Sequence, residues 1–206
     1  MRVSVMNAGG SSLIGLDDVV PLQDAHGASY RVRRLRRRDR SLLQTFNRAL
    51  GADRRLFIPH AYDDRTVGGM LKRSEDGEDL ALGLFPADRQ EDHLLGGYFF
   101  LWYVRERVPL LGIGMLRAYQ GAGLGSRMVN LLVEQAMQAG CEGVDLTTLP
   151  DNHRAFALYE KCGFHYYGDV KNVDGNGRTV IERAMFREIV PGARPPDKPH
   201  GPPPLK

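Results

Sequence analysis

Apolar and polar positions along this chain repeat with two different periods. Leu42, Phe46, Ala49 and Leu50 fall on one helical face between Asp39, a residue able to cap, and Gly51, a stop. Met128, Leu131, Leu132, Ala136 and Ala139 repeat at the same spacing, which predicts a helix over 127–139 ended by Gly140. Ala155, Leu158, Tyr159 and Cys162 define a further helical face, capped by Asp151 or Asn152 and stopped by Gly163. A shorter helix is expected at 65–71, with Pro59 limiting anything upstream. Strands are predicted over 30–35, 80–85, 94–104, 108–116 and 143–148, where apolar and aromatic residues bunch between polar turns. The three between 80 and 116 read as an antiparallel meander. Asp174-Gly175-Asn176-Gly177 predicts a hairpin turn joining 166–173 to 178–188. The mixture of strands and helices is that of an α/β (α+β) protein.

The two ends pattern poorly. Residues 1–29 scatter Gly, Ser and Asp among short apolar groups and read as a loosely held N-terminal extension. From Pro191 onward the prolines at 195, 196, 199, 202, 203 and 204 leave few donors and little apolar area, so residues 191–206 are expected to form a disordered tail, with a proline-binding partner as the alternative. One domain over 30–190 remains. At 206 residues, 42% hydrophobic and 26% charged, the composition is that of an ordinary globular protein, without an apolar stretch of membrane-spanning length. The first sixteen residues make a poor signal peptide, so a cytoplasmic address is expected. Cys141 and Cys162 lack metal-ligand spacing and read as small buried thiols, and no metal site is expected. Net charge is only +3, yet seven arginines crowd into positions 31–40. Val32 and Leu35 punctuate that run, which favours a basic surface strand over a nucleic-acid-binding arm.

The candidate chemistry begins at Gln120-Gly121-Ala122-Gly123-Leu124-Gly125-Ser126, between an apolar strand and a helical run. Glycines at alternate positions allow a tight turn and close backbone approach, and the helix that follows adds unpaired N–H groups and its positive dipole end. A phosphate or pyrophosphate is the expected guest. A Walker loop is excluded, because no Lys-Ser or Lys-Thr pair follows the last glycine. A dinucleotide loop has strand, turn, helix and strand in order, with Asp145 placed for a ribose. The spacing is Gly-x-Gly-x-Gly, however, and the unit sits mid-chain after an antiparallel-looking meander, without the further alternating strands and helices of a doubly wound sheet.

A second motif lies about 30 residues downstream: Asn152-x-x-Ala155-x-x-x-Tyr159-Glu160-Lys161-x-Gly163-Phe164. With Gln120-x-x-Gly123-x-Gly125, it resembles the two signature segments of the Gcn5-related N-acetyltransferase (GNAT) superfamily. The resemblance covers about 30–189 and is tightest over 108–165. It implies a mixed, mostly antiparallel central sheet flanked by helices, with acetyl-CoA as acetyl donor. It further implies that backbone from Gln120 through Ser126 holds the pyrophosphate, and that the pantetheine arm passes Met115 between two splayed strands. Asn152 and Ala155 then border the arm, and Tyr159 stands at the thiol.

Acetyl transfer to an amine needs a neutral nucleophile, an oxyanion stabiliser and a proton for the departing thiolate. Tyr159 is the candidate for that proton, since a phenol is protonated at neutral pH. The strand before the glycine loop, Val108 to Met115, carries no titratable side chain where many members of that family place a glutamate. Glu106, Asp145 or His60 acting through water are the alternatives for a base. The expected activity is transfer from acetyl-CoA to a primary amine by direct attack in a ternary complex, with a small-molecule acceptor, by a monomer or homodimer. A protein or peptide amine, or a non-catalytic acyl-CoA-binding module, are the other readings.

Overall fold

The computed structural model describes residues 13–88 and 93–204. One eight-stranded sheet organises them: β1 (Val19–Gln23), β2 (Ser29–Arg34), β3 (Leu80–Pro86), β4 (Gly97–Trp102), β5 (Leu110–Met115), β6 (Gly143–Thr148), β7 (His165–Val173) and β8 (Thr179–Glu188). Their spatial order is β1-β2-β3-β4-β5-β6-β8-β7. Every neighbouring pair is antiparallel except β5 with β6. Four helices, α1 (Arg40–Ala49), α2 (Asp64–Glu75), α3 (Leu124–Gln138) and α4 (His153–Lys161), cover its two faces.

Strand alternation divides the core. Leu82, Phe99, Leu111 and Leu146 pack with Met128, Leu132 and Tyr159 beneath α3 and α4. Phe85, Tyr98, Phe100 and Trp102 pack with Leu43, Phe46 and Leu71 beneath α1 and α2. Cys141 and Cys162 are buried and free, as their spacing implies, and burial pushes the Cys141 thiol up to about 11.

The ends depart from the sequence reading. Residues 19–23 are a strand, not a loose extension, paired from Val19↔Arg33 to Gln23↔Ser29. Ile14 is in the core and its N–H donates to Gln135 Oε1 at 2.6 Å. Local pattern hides this strand because Pro21 stands within its five residues, a proline that an edge strand tolerates. The described part of the tail, expected to be disordered, lies against the β4–β5 turn with Pro199 and Pro203 buried. There the Tyr103 hydroxyl donates to Gly201 O at 3.1 Å.

The arginine run is largely consumed within the fold. Arg33 makes a bidentate pair with Asp39 at 2.8 and 3.0 Å and lies over the Phe85 ring. Arg34 is buried beside Ser74 and the Asp79 carbonyl, and Arg36 pairs with Asp17. Asp39 thus holds the Arg33 guanidinium and the Arg36 N–H; its carboxylate makes no cap bond to α1. Among the described residues, no helix is long and apolar enough to cross a membrane.

Candidate active site

The parallel junction of the sheet is where the site opens. β5 and β6 share one register pair, Leu110↔Asp145, continued only backwards by Asp145 N–H to Pro109 O at 3.0 Å and Glu142 N–H to Arg107 O at 2.8 Å. Beyond that point the two strands part. A cleft of about 1190 Å³ fills the gap, bordered by Leu111–Met115 on one side and Thr147, Thr148 and Leu149 on the other.

At one end of the cleft the glycine loop turns into α3. Gly121 and Gly123 have φ of +92° and +80°, and a Cβ on either would meet nothing within 4 Å. Their conformation is one L side chains rarely adopt, and the space beside them is open to a ligand. Gly123 is the N-cap of α3 without a side-chain cap. Among the described residues, the N–H groups from Gly121 through Ser126 have no acceptor. Unpaired donors at the start of a fifteen-residue helix whose first turn holds no acid make an anion cradle.

Gly125 does something different from its neighbours. It lies inside the first turn of α3, where a Cβ would come within 3.2 Å of Leu158 Cδ2, so it allows α3 and α4 to approach. Leu124 faces the core, 1% exposed, and neither it nor Ala122 lines the cleft. Gln120 is a latch: its Nε2 donates to Met115 O at 2.6 Å and its Oε1 accepts from Arg154 at 2.6 Å. Ala122 O accepts from Ala25 N–H at 2.9 Å, which ties the loop to the β1–β2 turn.

Asn152 caps α4, its Oδ1 accepting from Ala155 N–H at 3.3 Å, and both residues line the cleft with Met115, Gln120 and Ser126. Tyr159, one turn further along α4, is 5% exposed; it packs on Phe164 with ring centroids 5.9 Å apart and borders the cleft. Burial pushes its phenol well above the ordinary range, so it remains protonated at every physiological pH. Basic side chains surround the cradle end. Arg117 forms a bidentate pair with Asp53 at 2.6 and 2.7 Å, and Arg55 pairs with Asp151 at 2.6 Å.

None of the proposed bases lines the cleft. Glu106 is exposed on the β4–β5 turn. His60 is 2% exposed, its Nδ1 bonded to Ala61 O at 2.9 Å, and burial lowers it to about 4. Asp145 is fully buried; desolvation raises it to about 7, against hydrogen bonds from the Tyr167 hydroxyl and Leu146 N–H that lower it. The sequence reading missed Glu182 on β8. Arg183 pairs with Thr148 and lies over Phe156 of α4, so alternation puts Glu182 on the opposite face, at the cleft, where its Oε2 accepts from Asn172 Nδ2 at 2.7 Å. The strand alternation of β8 carried that signal, but only the β6 pairing shows which face is the cleft.

The far wall is aromatic. Gly112 and Gly114 let Phe100 and Phe57 lie directly on β5, since a Cβ would come within 2.1 Å of Phe100 Cζ or 2.4 Å of Phe57 Cδ1. The β7–β8 hairpin closes over them, its Gly175 N–H donating to Ile58 O at 2.9 Å.

A sheet that splays beside a glycine-capped helix, with an arm-shaped cleft between, is the architecture of acyl-CoA N-acyltransferases. The profile of the Acetyltransferase (GNAT) family matches residues 21–164, and the chain belongs to that family. It is 29% identical over 109 residues to the spermine/spermidine N(1)-acetyltransferase of Bacillus subtilis, covering 52% of this chain and 59% of that one. It is 30% identical over 104 residues to the [ribosomal protein bS18]-alanine N-acetyltransferase of Haemophilus influenzae, covering 50% and 67%. The chain spans between 25% and 67% of the length of the curated relatives it matches. Mycobacterium smegmatis RimJ in complex with CoA-disulfide has the same fold, with a TM-score of 0.67 at 16% identity over 84% of this chain and 88% of that one.

Proposed function

We propose that this protein transfers an acetyl group from acetyl-CoA to a primary amine by direct attack in a ternary complex, with a small-molecule acceptor. The observation that carries the reading is the continuity of the cleft. Unpaired N–H groups from Gly121 to Ser126 open into the β5–β6 gap, and Tyr159 borders the same cleft.

The residues present fit the donor. The cradle suits a pyrophosphate, and the unpaired edges of β5 and β6 suit the amides of a pantetheine arm, which pair with exposed backbone as an added strand does. Met115, Gln120, Asn152 and Ala155 border that path. The acceptor nitrogen attacks the thioester carbonyl, forming a C–N bond and an oxyanion within reach of backbone donors on β5. Collapse breaks the C–S bond. Tyr159 gives its proton to the sulfur and regains one from solvent, while the proton lost by the amine passes through water to Glu182 or to bulk. With no carboxylate on β5 itself, proton removal is indirect, and assistance of this kind is worth roughly 10² to 10⁴ in rate.

The relatives acting on spermine or spermidine and on a ribosomal protein leave both small and polypeptide amines as acceptor classes. The aromatic wall of Phe57, Phe100 and Trp102 favours the small one. Free thiol released from acetyl-CoA across a panel of amines tests the reading. Amine-dependent release is expected; tight CoA binding with no release from any amine would leave a binding module.

A further inference from the structure

The proline-rich C-terminal segment shares the cleft with the β5–β6 gap. Lys198, His200, Gly201 and Pro202 line it, at the end where Trp102 pairs with Leu110. β5 rises about 3.3 Å per residue, so this end lies about 17 Å from Met115 and the glycine loop. We infer that residues 198–202 form the outer wall of the acceptor subsite and set its preference for a monoamine with an aromatic or branched apolar body over a polyamine. The inference rests on the acetyl-transfer reading of the same cleft.

The seat for the segment is built, and Tyr103 is its centre. Tyr103 is the one non-glycine residue with positive φ, +59°, among the described residues. Its N–H donates to Asp79 Oδ1 at 2.8 Å, and Asp79 is itself gripped by Arg73 at 2.7 and 2.9 Å. Held in this way, the Tyr103 ring meets the His200 ring with centroids 4.5 Å apart, and its hydroxyl donates to Gly201 O at 3.1 Å. Arg107 reaches the Arg194 carbonyl at 3.5 Å. A backbone conformation this unfavourable persists where its surroundings fix it, and here it aims one side chain at the tail.

The lining chemistry selects the acceptor. Phe57, Phe100, Trp102 and Pro202 offer ring faces and aliphatic surface. The charged groups brought to the cleft by the tail and the cleft face of the β7–β8 hairpin are Lys198, Glu182 and Asp174, while Lys171, paired with Ile181, lies on the Arg183 face; Asp174 Oδ1 already accepts from the Asn176 and Arg178 N–H groups. Glu182 can receive one amine. A polyamine would bring further ammonium groups against Lys198, and the other carboxylates lining the cleft, Asp53 and Asp151, are already paired with Arg117 and Arg55. A single amine on an apolar body meets no such repulsion and gains ring contact.

Trp102 is the sole tryptophan and borders this subsite, so its emission reports occupancy. Phenethylamine and spermidine are titrated into the CoA-saturated full-length protein, a chain ending at Ala193, and His200→Ala, with calorimetric CoA affinity as the check on folding. Saturable phenethylamine binding is expected in the full-length protein, weakened about five-fold or more in both variants, with CoA affinity unchanged and spermidine weaker throughout. Equal phenethylamine affinity in a CoA-binding variant, no saturable signal in the full-length protein, or tighter spermidine binding would overturn the inference; should the shortened chain fail to bind CoA, His200→Ala decides alone. Thiol release from acetyl-CoA separates the two readings. Tail-dependent binding with no release removes acetyl transfer and leaves the subsite, whereas release with an amine KM indifferent to the tail removes the subsite and leaves acetyl transfer.

Discussion

At the scale of single residues, the site depends on what is missing as much as on what is present. Gly123 has positive φ, open space at its Cβ position and unpaired N–H groups around it, so a side chain there meets ligand before it meets protein. Gly123→Asp is expected to weaken CoA binding more than ten-fold, and Gly123→Asn, which tolerates the same backbone conformation without the charge, by much less; calorimetry on both separates charge from strain (about 10-fold per 1.4 kcal/mol). Tyr159 lacks a competing hydrogen bond among the described residues and stays protonated. Tyr159→Phe should therefore lower turnover about 10- to 100-fold while CoA affinity stays within about two-fold. Asp145 has a different consequence, one of stability. Burial raises its carboxyl to about 7 from an unfolded value near 3.8, so between those values the folded state binds a proton the unfolded state has released. Its contribution is complete below about pH 4 and is lost as pH rises towards 7, a loss of up to about 4 kcal/mol if the whole shift is realised. Asp145→Asn, which can still accept from the Tyr167 hydroxyl, should flatten that slope, gaining more over the parent protein at pH 8 than at pH 5 in thermal melts.

Between elements, the contacts that shape the cleft come from hairpins and turns meeting at a distance. A Cβ on Gly175 would lie 2.4 Å from the His60 carbonyl carbon, so the tip of the β7–β8 hairpin can seat on the 57–60 loop only because that residue is glycine. Gly175→Ala should lift the hairpin, lowering stability by about 1–3 kcal/mol and raising acceptor KM several-fold with CoA affinity retained. Denaturant midpoints and steady-state kinetics check the two halves of that expectation. The sequence made the hairpin turn legible, because Asp-Gly-Asn-Gly chemistry is local, but it could not show what the turn rests upon. The same division runs through the site. Asn152 as a helix cap and Gly123 at a left-handed turn were readable from neighbouring residues alone. Gly125 reads as part of the cradle and lines the cleft, but its second task, letting α3 approach α4, is hidden because its partner Leu158 lies a strand and a helix away. Glu182 escaped notice for a related reason: its face is fixed by pairing with β6, some 35 residues upstream.

For the whole molecule, the least patterned segment has a structural task that reaches the cleft. β1 closes one edge of the eight-stranded sheet, covering the backbone of β2, and the turn after it holds the glycine loop through Ala25 N–H to Ala122 O. The same stretch fastens to α3 through Ile14 and to the basic run through Asp17 and Arg36. Its broken pattern makes it look dispensable, yet removing it would uncover the β2 edge, a ready template for pairing with another chain. Loss of the Ala25 bond would also free a loop whose two left-handed glycines have no side chains to restrain them. Deletion of residues 1–28 is therefore expected to do two separable things. It should promote self-association, visible by light scattering, and weaken CoA binding in whatever fraction remains monomeric, with little direct effect on an acceptor subsite at the other end of β5. Placing proline at Ala25 removes the N–H without uncovering the edge. That variant should lose CoA affinity by several-fold, about 1 kcal/mol, and stay monomeric. An unchanged affinity in Ala25→Pro would mean that β1 supports the sheet alone and that the glycine loop holds its shape unaided.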